Sequence, residues 1–344
     1  MSDEDRPATS IAEHEPARGR PRTAIIVAVI AAGTLLGIGG IAVAVVAANS
    51  AGGIQHPMSM GTPMPSAAPA TVDTAGFPSD GKNPGIFTDR CALTLTAPND
   101  PILMPGMTGQ SMQHDFFGNL APTSTSTPAT LLGGATNCTT SADSSAYWTP
   151  VLYQNAAPLK PSVTLIYWRA PSASASSVKT MPAGITIIAG NEVATTPQDA
   201  RAIGWSCSRQ LTLALTSTPA ECPAGSEVRL VATFPNCWDG HTLDGSAQSN
   251  VVYGPRIGSC PADHPVQIPQ IVVHVSYPTS SAANLTLSIG PTQHGSILTG
   301  HADFMNGWNQ AAMDRNVAAC IATQTRCGPV TGADATPQGG KTLG

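Results

Sequence analysis

Charge is what this 344-residue sequence has least of. Only 11% of its residues are Asp, Glu, Lys or Arg, against roughly 25% in an average soluble globular protein. A chain so poor in Lys and Glu is not kept in solution in the manner of a cytosolic enzyme. Ser, Thr, 33 Gly and 31 Pro fill the gap. A basic excess is also lacking. The net charge of −5 removes the electrostatic footing for nucleic acid, which needs a cationic surface, so no nucleic-acid partner is expected. Catalytic signatures are missing as well. There is no GxSxG elbow, HExxH helix, P-loop or dinucleotide fingerprint, which sets aside serine-hydrolase, zincin and nucleotide-binding readings. No two cysteines have CxxC spacing, so a zinc ribbon is a poor fit. No fixed-period repeat is visible, which argues against a propeller or solenoid.

The absence of charge is sharpest between Ala24 and Ala48, where 25 consecutive residues carry none (AIIVAVIAAGTLLGIGGIAVAVVAA). As a helix this stretch reaches roughly 37 Å, enough to cross a bilayer core of about 30 Å with some tilt. Arg18, Arg20 and Arg22 precede it, and no Lys or Arg follows before Lys82. The positive-inside rule then orients residues 1–23 as a cytoplasmic tail, 24–48 as a transmembrane signal-anchor and everything later as extracytoplasmic, in a single-pass protein of the cell membrane. A cleavable signal peptide would have a shorter apolar core of about 7–15 residues. Gly33 and Gly37 form a GxxxG step, which in so small-residue-rich a segment needs no dimer to explain it.

Residues 49–84 are a Gly/Pro/Ser/Ala-rich spacer. Met58, Met60 and Met64 with His56 have soft-metal donor chemistry, but the setting is that of a linker. Residues 329–344 form a second polar tail, leaving 85–328 as one folded domain. All eight cysteines lie after the apolar segment, as disulfides in an oxidising compartment would. Eight cysteines allow 105 connectivities; proximity selects Cys91–Cys138, Cys207–Cys222, Cys237–Cys260 and Cys320–Cys327. Short period-two or apolar runs predict strands at 91–97, 162–169, 185–189, 227–234, 270–277 and 284–289. Residues 308–322 read as helix. The expected fold is mainly β: a β-sandwich or jelly-roll-like ectodomain with one short C-terminal helix.

With ionisable groups so few, their clusters stand out. Three segments combine them with aromatics and Gly: MQHDFFGN (112–119), FPNCWDGHTLDG (234–245) and GHADFMNGW (300–308). On a strand His301 and Asp303 would face the same way, as an oriented base or a metal-ligand pair. His114 and Asp115 would face opposite ways, with Phe116 and Phe117 in the core. Asp239 and Asp244 each precede a turn glycine by one residue; they could be catalytic carboxylates or plain turn residues. His241 is expected in the exposed loop. The candidate catalytic set is therefore His114, Asp239, Asp244, His301 and Asp303. Neither the metal nor any other cofactor is specified by these residues.

The same segments, in order with NDPILMPGMTGQSMQHDFFGN (99–119), DSSAYWTPVLY (143–153), CPADHPVQIPQI (260–271) and CIATQTRCG (320–328), resemble the domain-of-unknown-function family 1996 of secreted or membrane-anchored fungal and bacterial proteins. The resemblance implies an extracytoplasmic, carbohydrate-related domain. It also marks departures. Met112, Ala247 and Asn250 stand where the family pattern places histidines, which implies a site that has lost proton carriers. The expected function is a cell-envelope or extracellular polysaccharide-binding module, degenerate in its site. The alternatives are a carbohydrate-active hydrolase or lyase using Asp239 or Asp303 with His301, and a metal-dependent enzyme using His114, His301 and Asp303.

Overall fold

The computed structural model describes residues 85–170, 177–208, 215–255 and 259–327. The cytoplasmic tail, the 24–48 anchor, the spacer and the 329–344 tail expected above all lie outside the described residues. Among the described residues no helix is long and apolar enough to cross a membrane.

The described residues are mainly β and form four sheets. The strands of the two larger sheets are, in chain order, β1 Ile86–Arg90, β2 Leu93–Ala97, β3 His114–Gly118, β4 Ala146–Pro150, β5 Val163–Arg169, β6 Thr186–Gly190, β7 Ile203–Cys207, β8 Val228–Thr233, β9 Gln270–Tyr277, β10 His301–Met305 and β11 Arg326–Cys327. One sheet has six strands in the order β11-β1-β5-β9-β8-β7, the other five in the order β2-β3-β4-β10-β6. All pairings are antiparallel except that of β1 with β11. Val, Ile, Thr and aromatic side chains dominate these strands, as a pleated, buried surface favours.

Alternate residues of the two sheets meet in one core. From the six-stranded sheet come Phe87, Ile166, Trp168, Leu230, Val273 and Val275, and from the five-stranded sheet Phe117, Tyr147, Ile187, Ala302 and Phe304. Phe87 stacks on Trp168, and Trp168 meets Phe304 and Trp308 edge-on. The other face of the five-stranded sheet builds a second, smaller apolar cluster from Phe116, Ala146, Trp148, Ile188 and Met305, covered by Ile102 and Leu131. With both faces buried, β3, β4 and β10 carry no exposed residue at all.

The four disulfides pair as proximity suggests: Cys91–Cys138, Cys207–Cys222, Cys237–Cys260 and Cys320–Cys327. The expected C-terminal helix is shorter than 308–322. It runs Gln310–Asn316, capped by Asn309 accepting from the Ala312 amide, and continues as one π turn over Val317–Ile321. A one-turn helix at Pro128–Leu131, started by a Thr127 capping box, was not expected from the sequence.

Candidate functional site

The side chains of β3 alternate across its sheet. Asp115 and Phe117 point into the main core; His114 and Phe116 point to the other face, as period two requires. On β10, Ala302 and Phe304 take the core face and His301, Asp303 and Met305 the other. β4 lies between the two strands. His114 pairs with Pro150 and Phe116 with Trp148, while Asp303 pairs with Trp148 on the opposite edge. The two histidines therefore reach toward each other over the Pro150 end of β4, with Asp303 one pleat further along on the same face.

They meet. His114 Nε2 lies 3.2 Å from His301 Nε2, and His301 Nε2 lies 3.7 Å from Asp303 Oδ2. One ligand-type atom from each of the three residues falls within 4.8 Å of the other two. Each imidazole is held from behind: His114 Nδ1–H donates to the Asn99 carbonyl at 2.9 Å and His301 Nδ1–H to the Thr299 carbonyl at 2.8 Å. A carbonyl can only accept, so in neutral rings these bonds fix both Nε2 atoms as bare lone pairs. Burial of both rings is complete and pushes each down to about 4; for His301 the neighbouring His114 adds to the effect. At neutral pH both are uncharged. Asp303 is fully buried, and neither of its carboxyl oxygens has a hydrogen-bond partner. Burial, with the negative charges of Asp100 and Glu192, holds its pKa well above the usual carboxylate range.

Asp100 and Glu192 complete the surroundings, and the sequence reading missed both. Asp100 is buried, and its Oδ1 accepts from the Ile102 and Leu103 amides at 2.9 Å each. It fastens the 99–111 loop over the outer face of the sheet. Glu192 follows Gly190, the residue opposite His301 on β6. The one available signal was positional: Asp100 is the second residue of the first of the ordered motifs.

Asp239 and Asp244 do not join this cluster. Asp239 Oδ1 accepts from the His241 and Thr242 amides, and Asp244 Oδ1 from the Ser246 amide. Both are turn acceptors. The loop they occupy is tied to the far end of β6, where Gly245 N–H donates to Thr186 Oγ1 and Asn250 Nδ2 to the Thr186 carbonyl. Thr186 and Gly190 are four residues apart on one strand, roughly 13 Å. Ala247 and Asn250 thus sit at the opposite end of the strand from His301. His241 is exposed, as expected.

The fold and site define a disulfide-stapled, mainly β domain with a closed His/His/Asp cluster on the outer face of its five-stranded sheet. The sequence matches the family described as Domain of unknown function (DUF1996) over residues 100–308. The chain belongs to that family, and every residue of the cluster falls within the matched stretch. No curated protein and no solved structure matches it.

Proposed function

We propose that this chain is an extracytoplasmic binding module, held at the cell membrane by residues 24–48 and presented on its spacer to cell-envelope polysaccharide. One observation favours binding over cleavage: the His/His/Asp cluster is out of a polymer's reach. His114, His301 and Asp303 are 0%, 1% and 0% exposed, and Asp239 and Asp244 are engaged as turn acceptors. A glycan hydrolase needs two carboxylates flanking a bond in an open groove, and the closed cluster is no such groove. The exposed residues of the domain are weakly charged and rich in Ser and Thr, which suits a neutral, hydroxyl-rich ligand. The loop fixed by Cys237–Cys260 adds partly exposed apolar groups there, Leu243 and Tyr253.

The test is co-sedimentation of the detergent-solubilised full chain with purified envelope polysaccharide, with new reducing ends assayed in the same tubes. Retention without release supports a binding module. Release of oligosaccharide supports the hydrolase or lyase instead, and absence of retention across envelope polymers removes the polysaccharide reading.

A further inference from the structure

The geometry points to a metal site: His114 Nε2, His301 Nε2 and an Asp303 carboxylate oxygen bind one divalent first-row transition ion, of which zinc fits best, and the ion serves structure. The inference concerns the interior of the domain and is independent of what its surface binds.

Four observations carry it. The first is the facing of two lone pairs. With both Nδ1 protons committed to backbone carbonyls, nothing in the pair can donate across the 3.2 Å between the Nε2 atoms. A cation between them turns that repulsion into two bonds. The second is the spacing. Two nitrogens about 2.05 Å from one zinc ion, spread by the tetrahedral angle, stand about 3.3 Å apart, close to the separation found. The third is Asp303. A buried carboxyl with both oxygens unpartnered is costly, and here it lies on the same side of the sheet as the two bare nitrogens. The fourth is the set of supporting contacts. Metal-bound histidines characteristically donate their other N–H to a carbonyl or carboxylate, and both do so here. Asp100 and Glu192 bear on Asp303 with negative charge, which an ion of charge +2 would convert from repulsion into balance. Two imidazoles and a carboxylate suit zinc and its neighbours better than calcium or magnesium, which prefer all-oxygen shells.

Closure indicates the role. Catalytic zinc keeps a position open to substrate, whereas structural zinc is enclosed; here three protein ligands leave a fourth, water-sized position that the surrounding side chains close to substrate. Phe116, Trp148, Ile188, Met305 and Ile102 surround this face. The ion would link β3 to β10 across β4 and stabilise the sheet from its outer face.

The experiment uses the full chain in detergent, purified without chelator from metal-replete cells. Elemental analysis is expected to find about one equivalent of zinc or another first-row ion. After stripping with chelator, added Zn²⁺ or Co²⁺ should raise the melting temperature by roughly 5–10 °C at a hundredfold excess over Kd. The Co²⁺ form should show the ligand-field bands of a four-coordinate N/O site. His301→Gln and Asp303→Asn, each checked for intact disulfides and native circular dichroism, should lose the metal response. Should either variant fail to fold, the stripped and reloaded wild-type protein still decides the matter. A purified chain without stoichiometric metal, whose melting temperature no ion from Mn²⁺ to Zn²⁺ moves, overturns the site and leaves a proton as the bridge between the histidines.

Discussion

Among the described residues, two places gather four or three ligand-type groups in the interior, and they resolve their burial differently. Asp89, Cys91, Cys138 and Asp143 place one oxygen or sulfur each within 4.8 Å of the others, just as His114, His301 and Asp303 do. In the first cluster the sulfurs are joined to each other. Its carboxylates are also well supplied with donors. Asp89 Oδ1 accepts from Thr139 Oγ1, the Thr140 amide and the Arg90 amide; Asp143 accepts from the Ser145 amide at 3.0 Å and from Tyr147 Oη at 2.7 Å. In the second cluster the histidines are satisfied only from behind, and Asp303 has no donor. Composition would rank the two alike. The hydrogen-bond inventory separates them: in one, both carboxylates take donors and only Asp89 Oδ2 is left over, while the other has a set of acceptors converging on a single point.

The largest expected effect breaks the first cluster. Replacing both Cys91 and Cys138 by Ala opens a 47-residue loop, worth about 4 kcal/mol on the chain-entropy account. Chemical denaturation should show that loss, while added Zn²⁺ should still raise the melting temperature of whatever folded protein remains. A metal response that vanished with this disulfide would mean that the clusters are coupled and the contrast false.

Next is pH. Burial pushes Asp89 up to about 6, against hydrogen bonds that pull it down, and burial with the Asp89 charge pushes Asp143 up to about 7. Both folded values lie above the unfolded value of 3.8. The folded state therefore holds protons more tightly, and the stabilisation is fully present below pH 3.8 and lost as pH rises through 6 to 7. For the coupled pair the change is on the order of 3 kcal/mol. Asp115, pushed up to about 6 by burial, adds to the same trend. Denaturation midpoints from pH 4 to 8 should fall, and Asp143→Asn should flatten the curve. A stability that rises across this window would show that the pair is ionised and compensated by something outside the hydrogen bonds described.

A smaller effect, about 2 kcal/mol, is expected from Gly190→Ala. Gly190 has φ +87° and faces His301 on β6, and an added Cβ would stand 2.5 Å from Ile203 Cγ1 and 2.7 Å from the Gly300 carbonyl. Strain of this kind costs of order 1–3 kcal/mol. Because it acts next to His301, it should weaken metal affinity as well as stability. Loss of stability with unchanged metal affinity would show that the centre does not depend on this strand's position.

How much of this was readable beforehand follows from burial. The strands at 163–169, 228–233, 270–277 and 285–288 come close to their sequence-predicted limits, since apolar runs and β-branched residues mark them. Five others, each of five residues, were not in the expected set: Ile86–Arg90, His114–Gly118, Ala146–Pro150, Ile203–Cys207 and His301–Met305. His114–Gly118 shows why. All five residues are buried, two of them ionisable, so neither alternation nor hydrophobicity announces a strand. The shared face of His301 and Asp303 was legible, because it depends only on local period two. The grouping of His114 with them was offered as one metal-ligand alternative, but its geometry was not legible, since β4 and its register intervene. Asp100 and Glu192 gave no local sign either. The four disulfides were within reach because sequence neighbours paired in every case.

The smallest expected change tests the comparison most directly. Asp303→Asn removes a carboxyl whose pKa burial, Asp100 and Glu192 hold well above the usual range, and replaces it with a neutral group of nearly the same shape. In chelator-treated protein the variant should lie within about 1 kcal/mol of wild type, since no hydrogen bond to Asp303 is lost. In metal-loaded protein it should lose most of the metal-dependent rise in melting temperature, because an amide oxygen is a weaker ligand than a carboxylate. Asp143→Asn should behave in the opposite manner, costing stability with or without metal, because Tyr147 Oη and the Ser145 amide depend on that side chain. If Asp303→Asn were as costly as Asp143→Asn in the absence of metal, Asp303 would have an internal partner after all, and the two clusters would be variants of one structural device rather than a satisfied acid pair and a metal centre.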